Sequence, residues 1–480
     1  SGRRRRSPSS ATPPAPIAPV PLPKQVEWQK METYAFVHYG LNTFNDREWG
    51  YGDTDPKTFN PSRMDVEQWA RTFKQAGMKG VIIVAKHHDG FAMWPSPLTE
   101  YNITRSSYDG PRNPRGQVDV LWELRKACDK YGLKMGIYLS PWDRNHAEYG
   151  RQAYVDYYHR QLTQLTTDYG PLFEVWLDGA NGGDGYYGGA RETRRIDRRT
   201  YYDLPGIHAI IEEHQPQAVI FSDGGPGCRW VGNESGVAGT TNWAFLRRDD
   251  VYPGYPNYWE LPNGHADGDA WMPAECDVSI RPGWFYHPEE DDKVKTPRQL
   301  ADLYYKSVGR NATFLLNFPV DREGRVNAID STNAVRFRQI IDEDLRTDLL
   351  RGMAVSASSE RGGKYKAKRL TDGKWDTFWA TPDGVTTGFV TIMLARPTRL
   401  NRLLLQEYIP LGQRVRAFTA EALVEGQWQR IDAGEETTTI GYKRILRFPT
   451  VEATALRVTI TDARGPLCLC NIAAYLAPTD

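Results

Sequence analysis

Phe173-Glu174-Val175-Trp176-Leu177-Asp178-Gly179-Ala180 reads as a short buried strand that delivers a carboxylate to its end. Val175 and Leu177 are its apolar body, Asp178 stands where the strand stops, and Gly179 lets the chain turn. Packing explains Asp178 poorly, because an unpaired carboxylate at the edge of a core is expensive. At the carboxyl end of a parallel strand it sits where α/β proteins carry their chemistry.

The same pattern repeats on both sides. Apolar runs over residues 34–40, 80–85, 135–142, 218–224 and 312–318, with a weaker one over 276–280, read as further strands. Stretches with helical spacing lie between them, over 65–75, 120–131, 154–169 and 300–308. Such alternation implies parallel strands joined by right-handed crossovers, in a doubly wound sheet or a closed barrel. No glycine-rich phosphate loop follows the first strand, and polar residues follow nearly every strand instead of gathering at one switch point. A (β/α)8-like TIM barrel over residues 26–349 is the expected fold.

Beyond residue 350 the helical spacing disappears. Short β-type runs over 353–359, 389–394, 400–406, 415–424, 445–448 and 455–460, separated by Gly, Pro, Asp and Asn, predict an all-β sandwich over 350–480. Residues 1–25 read as a disordered Pro- and Arg-rich arm, whose run Arg3 to Arg6 fits the remnant of an export signal. Lys and Arg total 60 against 60 Asp and Glu, which gives no reason to expect a nucleic-acid or anionic-membrane partner. No run of apolar residues is long enough to span a membrane. The five cysteines, Cys128, Cys228, Cys276, Cys468 and Cys470, define neither a disulfide framework nor a metal motif.

In a barrel, residues after different strands converge on one face. His38, Glu48, Trp49, His87, His88, Tyr138, Trp142, Trp176 and Asp178, with the loop carboxylates Glu234 and Glu275, then form a polar pocket with aromatic walls. That composition suits a neutral polyhydroxylated ligand: His and Glu bond hydroxyls, and Trp packs on C–H faces. His87 and His88 are not expected to bind a metal, because neighbours on a strand point opposite ways and no ligand spacing accompanies them. Glycoside hydrolysis needs two carboxyl groups. Asp178 is the candidate nucleophile, and Glu234 and Glu275 have nearly equal standing as the acid/base.

Residues 35–44, Glu48-Trp49-Gly50, Lys86-His87-His88-Asp89-Gly90-Phe91, Tyr138-Leu139-Ser140-Pro141-Trp142 and Glu174-Val175-Trp176-Leu177-Asp178-Gly179 resemble, in order, the α-L-fucosidases of glycoside hydrolase family 29. The resemblance implies a retaining exo-α-L-fucosidase without a catalytic cofactor. It gives Asp178 as nucleophile, His38, Glu48, His87 and His88 on fucose hydroxyls, and Trp49, Trp176 and Tyr138 around the sugar. Trp230-Val231-Gly232-Asn233-Glu234 and the run from Asp277 to Tyr286 are similar to the subfamily selective for α-1,3/1,4-linked fucose on Lewis-type glycans. This favours Glu234 as acid/base, leaves Glu275 as an alternative or a substrate contact, and adds Arg281 and Trp284 as substrate contacts.

The stretch from Leu370 to Trp379 resembles a discoidin or galactose-binding-like module, in which Asp372 and Asp376 would hold a structural calcium. A turn at Asp372-Gly373 with Trp375 and Trp379 in the core is the alternative. Fucosylated glycans are the expected partners, and a secreted or periplasmic location is the expected setting. Transfer of fucose to another sugar, or a silent glycan-binding protein, would use the same pocket. The oligomeric state is not legible.

Overall fold

Eight parallel strands close into a barrel in the computed structural model, which describes residues 11–478. They are β1 (Thr33–His38), β2 (Gly80–Lys86), β3 (Lys134–Leu139), β4 (Leu172–Trp176), β5 (Val219–Ser222), β6 (Cys228–Trp230), β7 (Ala274–Ser279) and β8 (Ala312–Pro319). The order around the barrel is β1-β8-β7-β6-β5-β4-β3-β2, returning to β1. Every residue of β1, β2, β4, β7 and β8 is buried, because helices cover the outside and side chains fill the inside. Trp176 is in register with Tyr138 on one side and Phe221 on the other, so three rings form one layer across the barrel.

The helical spacing also holds. The helix Val120–Tyr131 starts where the Asp119 carboxylate accepts the Trp122 N–H and ends at Gly132, whose φ of 68° is open to glycine. Among the described residues six helices cover the barrel wall, Val66–Gln75, Val120–Tyr131, Gln152–Asp168, Leu204–His214, Pro297–Ser307 and Ala328–Asp344. A seventh, Pro23–Met31, closes the floor by placing Trp28 among Tyr34, Phe173 and other interior residues. Among the described residues no helix is long and apolar enough to cross a membrane.

Two sequence expectations change here. Strand β6 was not among the expected strands: a short turn, with no helix, separates it from β5. The arm is not uniformly disordered. Residues 1–10, with the run Arg3 to Arg6, lie outside the described residues, but residues 12–18 run along the C-terminal domain. There the Ile17 N–H bonds Leu411 O at 3.0 Å, while Ala15 O and Ala18 O accept from Arg414 and Arg464 at 2.7 and 2.9 Å.

The C-terminal domain is an antiparallel all-β unit. Two of its strands, Gly388–Glu407 and Arg444–Ala463, each run 20 residues, and bulges break each into pieces that read as separate strands in the sequence. Asp372 closes the Asp372-Gly373 turn, with its Oδ1 accepting the Lys374 N–H at 2.9 Å and its other oxygen bonded to Thr377. Trp379 is buried and Trp375 packs on Tyr408 and under Lys30. Among the described residues no trio of His, Cys, Asp or Glu ligand atoms within reach of one ion includes Asp372 or Asp376.

Polar groups fasten this domain to the barrel. Glu32 accepts from Tyr442 at 2.6 Å and from Lys443 at 2.5 Å, and burial, which opposes its charge, is outweighed by Lys443 and Tyr442 so that its carboxyl lies below the ordinary value. Arg229, fully buried, donates to the carbonyls of Leu261, Trp243 and Met272 and to Asn242, which pins the long segment between β6 and β7 against the same interface.

Candidate active site

A cavity of about 390 Å³ opens at the carboxyl end of the strands. His38 ends β1, and His87 and His88 follow β2. Asp178 stands two residues beyond β4, Asp223 just beyond β5, and Asp277 is on β7. Of the residues expected from sequence, His38, Glu48, Trp49, His87, His88, Tyr138, Trp176, Asp178, Glu234 and Trp284 line it. Phe36, Phe221, Asp223, Trp230 and Asp277 line it as well and were not among them.

Asp178 accepts from two donors. Tyr138 Oη donates to Oδ2 at 2.8 Å, the Ala180 N–H donates to Oδ1 at 2.8 Å, and His88 Nε2 lies 3.8 Å from Oδ2. Burial first and then the charge of Asp178 push the Tyr138 phenol well above its ordinary value, so it stays a donor. Gly179 is needed for space: a Cβ there would lie 2.7 Å from the Asp223 carboxylate.

Burial disfavours the charged form of all three histidines. Burial lowers His38 to about 4, against the opposing pull of Asn317, and also lowers His87 and His88. Asn317 gives its amide hydrogens to Ser279 and Trp284, so its Oδ1 accepts from His38 Nδ1 at 2.8 Å and His38 Nε2 is left as an acceptor. Ser140 donates to Trp142 O, so His88 Nδ1 donates to Ser140 at 2.7 Å. His87 and His88 both face the cavity, with ring centroids 4.2 Å apart, because the strand ends at Lys86 and the alternation of faces ends with it.

Glu234 rides on a built turn. Asn233 Oδ1 accepts from the Ser235 and Val237 N–H groups, and Gly236, at φ 79°, sits against Val278 where a Cβ would clash. Trp284 Nε1 donates to Glu234 Oε2 at 3.1 Å. Partial burial lifts the Glu234 carboxyl above its ordinary value, the Trp284 donor opposes this, and the charges of Asp178 and Glu48 add to the lift. Burial pushes Asp223 up to about 7 against a bond from the Gly254 N–H, and burial with the charges of Glu234 and Glu275 pushes Asp277 well above the carboxylate range.

Three candidates lie elsewhere. Glu275 is inside the barrel, fully buried, bonded by Tyr34 and by Trp176 Nε1 at 2.6 Å, and paired with Glu174. Arg281 is buried between Asp330 and Asp291 and holds the wall together. Trp142 backs Trp49 and His88 at 5.5 and 5.3 Å and donates to Tyr187, outside the cavity. Asp46, His287 and Glu289 are close enough to gather round a cation, but both imidazole nitrogens already face carboxylates at 2.6 and 2.7 Å.

Residues 20–337 match the family model described as alpha-L-fucosidase, and residues 354–473 match the F5/8 type C domain. Alpha-L-fucosidase 1 of Arabidopsis thaliana is 38% identical over 472 residues, which cover 96% of this chain and 88% of that protein. The crystal structure of a glycoside hydrolase 29 family member from an unknown rumen bacterium is 45% identical with a TM-score of 0.86, covering 97% of this chain and 78% of that one. A Ruminococcus gnavus GH29 fucosidase in complex with fucose is 32% identical with a TM-score of 0.86, covering 98% of this chain and 97% of that one.

Proposed function

The chain belongs to the alpha-L-fucosidase family, and from that premise we propose that it is a retaining exo-α-L-fucosidase that removes α-1,3/1,4-linked fucose from Lewis-type branched glycans. The observation that carries the reading is one cavity holding two carboxyl groups with different partners: Asp178, which accepts from Tyr138 and from the Ala180 N–H, and Glu234, held by the Trp284 indole at the rim.

In this mechanism Asp178 attacks C1 of fucose while Glu234 gives its proton to the leaving oxygen, forming a covalent fucosyl-enzyme. Glu234 then takes a proton from water as it attacks the same carbon, and retention follows from two inversions. His38, His87, His88 and Glu48 bind hydroxyls, and Trp176, stacked 3.9 Å from Phe221, supplies an apolar wall. The exposed Tyr258 and Trp259, beside Trp230 on the rim, support contact with sugars beyond fucose.

The test compares a Lewis-type oligosaccharide with a simple aryl α-L-fucoside, using Asp178→Ala and Glu234→Ala. Faster cleavage of the branched substrate, lost in both variants, is expected. Activity kept by Glu234→Ala and lost by Glu275→Ala would refute the acid/base assignment.

A further inference from the structure

We propose that His287 is a positioning residue for the sugar site, clamped between Asp46 and Glu48 so that the Glu48 carboxylate keeps one orientation toward the ligand. The inference rests on the fucosidase reading, because it takes Glu48 as a group that binds fucose hydroxyls.

Glu48 lies in a loop without regular structure, and its side chain is 40% exposed. Ordering such a side chain costs rotamer freedom. Three donors hold it: the Trp284 N–H at 2.7 Å on Oε1, and the Phe285 N–H at 3.1 Å and His287 Nε2 at 2.7 Å on Oε2. The two amides belong to the backbone and would survive any substitution at 287. His287 is the side-chain member of the set.

Its other nitrogen is equally committed. His287 Nδ1 lies 2.6 Å from Asp46 Oδ1. Both neighbours are acceptors, so both ring nitrogens act as donors and the imidazolium form satisfies them together. Burial disfavours that charge, but the bonds to Asp46 and Glu48, with the nearby charge of Glu290, outweigh it and raise His287 above its ordinary value. The backbone is shaped around the clamp. Asp46 sits at φ 53°, uncommon outside glycine, and Gly283 leaves room where a Cβ would lie 2.8 Å from His287 Cδ2 and 3.0 Å from Glu48 Oε2.

The clamp also reaches the acid. The same Trp284 whose N–H holds Glu48 bonds Glu234 through its indole, so one turn sets both the sugar-binding and the proton-donating carboxyl groups.

The test measures fucose affinity by calorimetry, together with kcat and KM, on the full chain and on His287→Ala and His287→Gln. His287→Ala is expected to weaken fucose binding and raise KM by about tenfold or more, with kcat within about threefold. His287→Gln, whose amide can still donate to Glu48, is expected to recover most of that loss. A folded His287→Ala with unchanged affinity overturns the inference, as does an equal fall in kcat at constant KM, or a Gln variant no better than Ala. Should His287→Ala fail to fold, the more exposed Asp46→Asn decides: affinity weakened by about twofold or more supports the clamp, and unchanged affinity overturns it. A wild-type chain that neither binds nor cleaves fucosides defeats the fucosidase reading and this inference together; an active wild type beside an unaffected His287→Ala defeats the inference alone.

Discussion

Replacing Trp284 with phenylalanine removes the indole N–H and part of the ring that lines the cavity. The backbone amide that holds Glu48 stays, and an aromatic ring remains beside His38 and Phe36, which lie 5.3 and 6.4 Å from the indole. The lost donor lies 3.1 Å from Glu234 Oε2 and stabilises the carboxylate form. In a buried site such a bond to a charged group is worth about 1.5–3 kcal/mol. Glu234 is exposed at the rim, so the value falls to the range for screened surface pairs, about 0.2–1 kcal/mol. At 1.36 kcal/mol per unit, that is about 0.2–0.7 of a pH unit. Glu234 is already lifted by burial, and losing a donor lifts it further, so the acid stays protonated to higher pH. The alkaline limb of kcat/KM on a branched fucoside is expected to move upward by that amount. The assay is a pH–rate profile of both proteins across the neutral range. A limb that stays put, or moves down, refutes Glu234 as the titrating acid or the indole as its partner.

Asp178→Asn is expected to lower kcat by about 10³-fold or more while fucose binding persists, measured by kinetics beside calorimetry. Arg229→Met strands the carbonyls of Leu261, Trp243 and Met272 and should cost about 3 kcal/mol or more in urea unfolding. Glu174 is raised well above its ordinary value by burial and by Glu275, so the folded protein holds a proton that the unfolded chain releases. Its stabilising effect is complete below the ordinary carboxyl value and is lost as pH rises toward the raised one; melting temperature should therefore fall more between pH 5 and 8 in wild type than in Glu174→Gln.

Much of the barrel was legible because its strands are covered on both faces and stand out as apolar runs, with Asp178 conspicuous at the end of one. Strand β6 was hidden because Cys228–Trp230 is short and is reached by a turn instead of a helix. Arg281 looked like a ligand contact because its partner Asp330 lies far along the chain and leaves no local signal. The Pro-rich residues 12–18 read as solvated because sequence does not show that their free carbonyls meet Arg361, Arg414 and Arg464. Asp223 had a signal that was passed over: Ser222-Asp223-Gly224 repeats the strand-end Asp-Gly form of Asp178-Gly179.

The carboxyl groups around this cavity differ less in chemistry than in what is aimed at them, and that difference supports the roles proposed for them. Asp178 has two donors at 2.8 Å, Tyr138 and the Ala180 N–H, which hold the carboxylate in the orientation that the proposed attack needs. Glu48 has three donors and is suited to accept from sugar hydroxyls without reacting. Glu234 has a single indole and two negative neighbours, which favours holding a proton until a leaving group takes it. Asp277, with one buried oxygen unpartnered, is pushed well toward neutrality in a pocket lined by four other carboxyl groups, Glu48, Asp178, Asp223 and Glu234. Were Asp277 ionised as well, its charge would raise Glu234 further and make it a weaker acid in the first half of the reaction; a neutral Asp277 spares Glu234 that further rise.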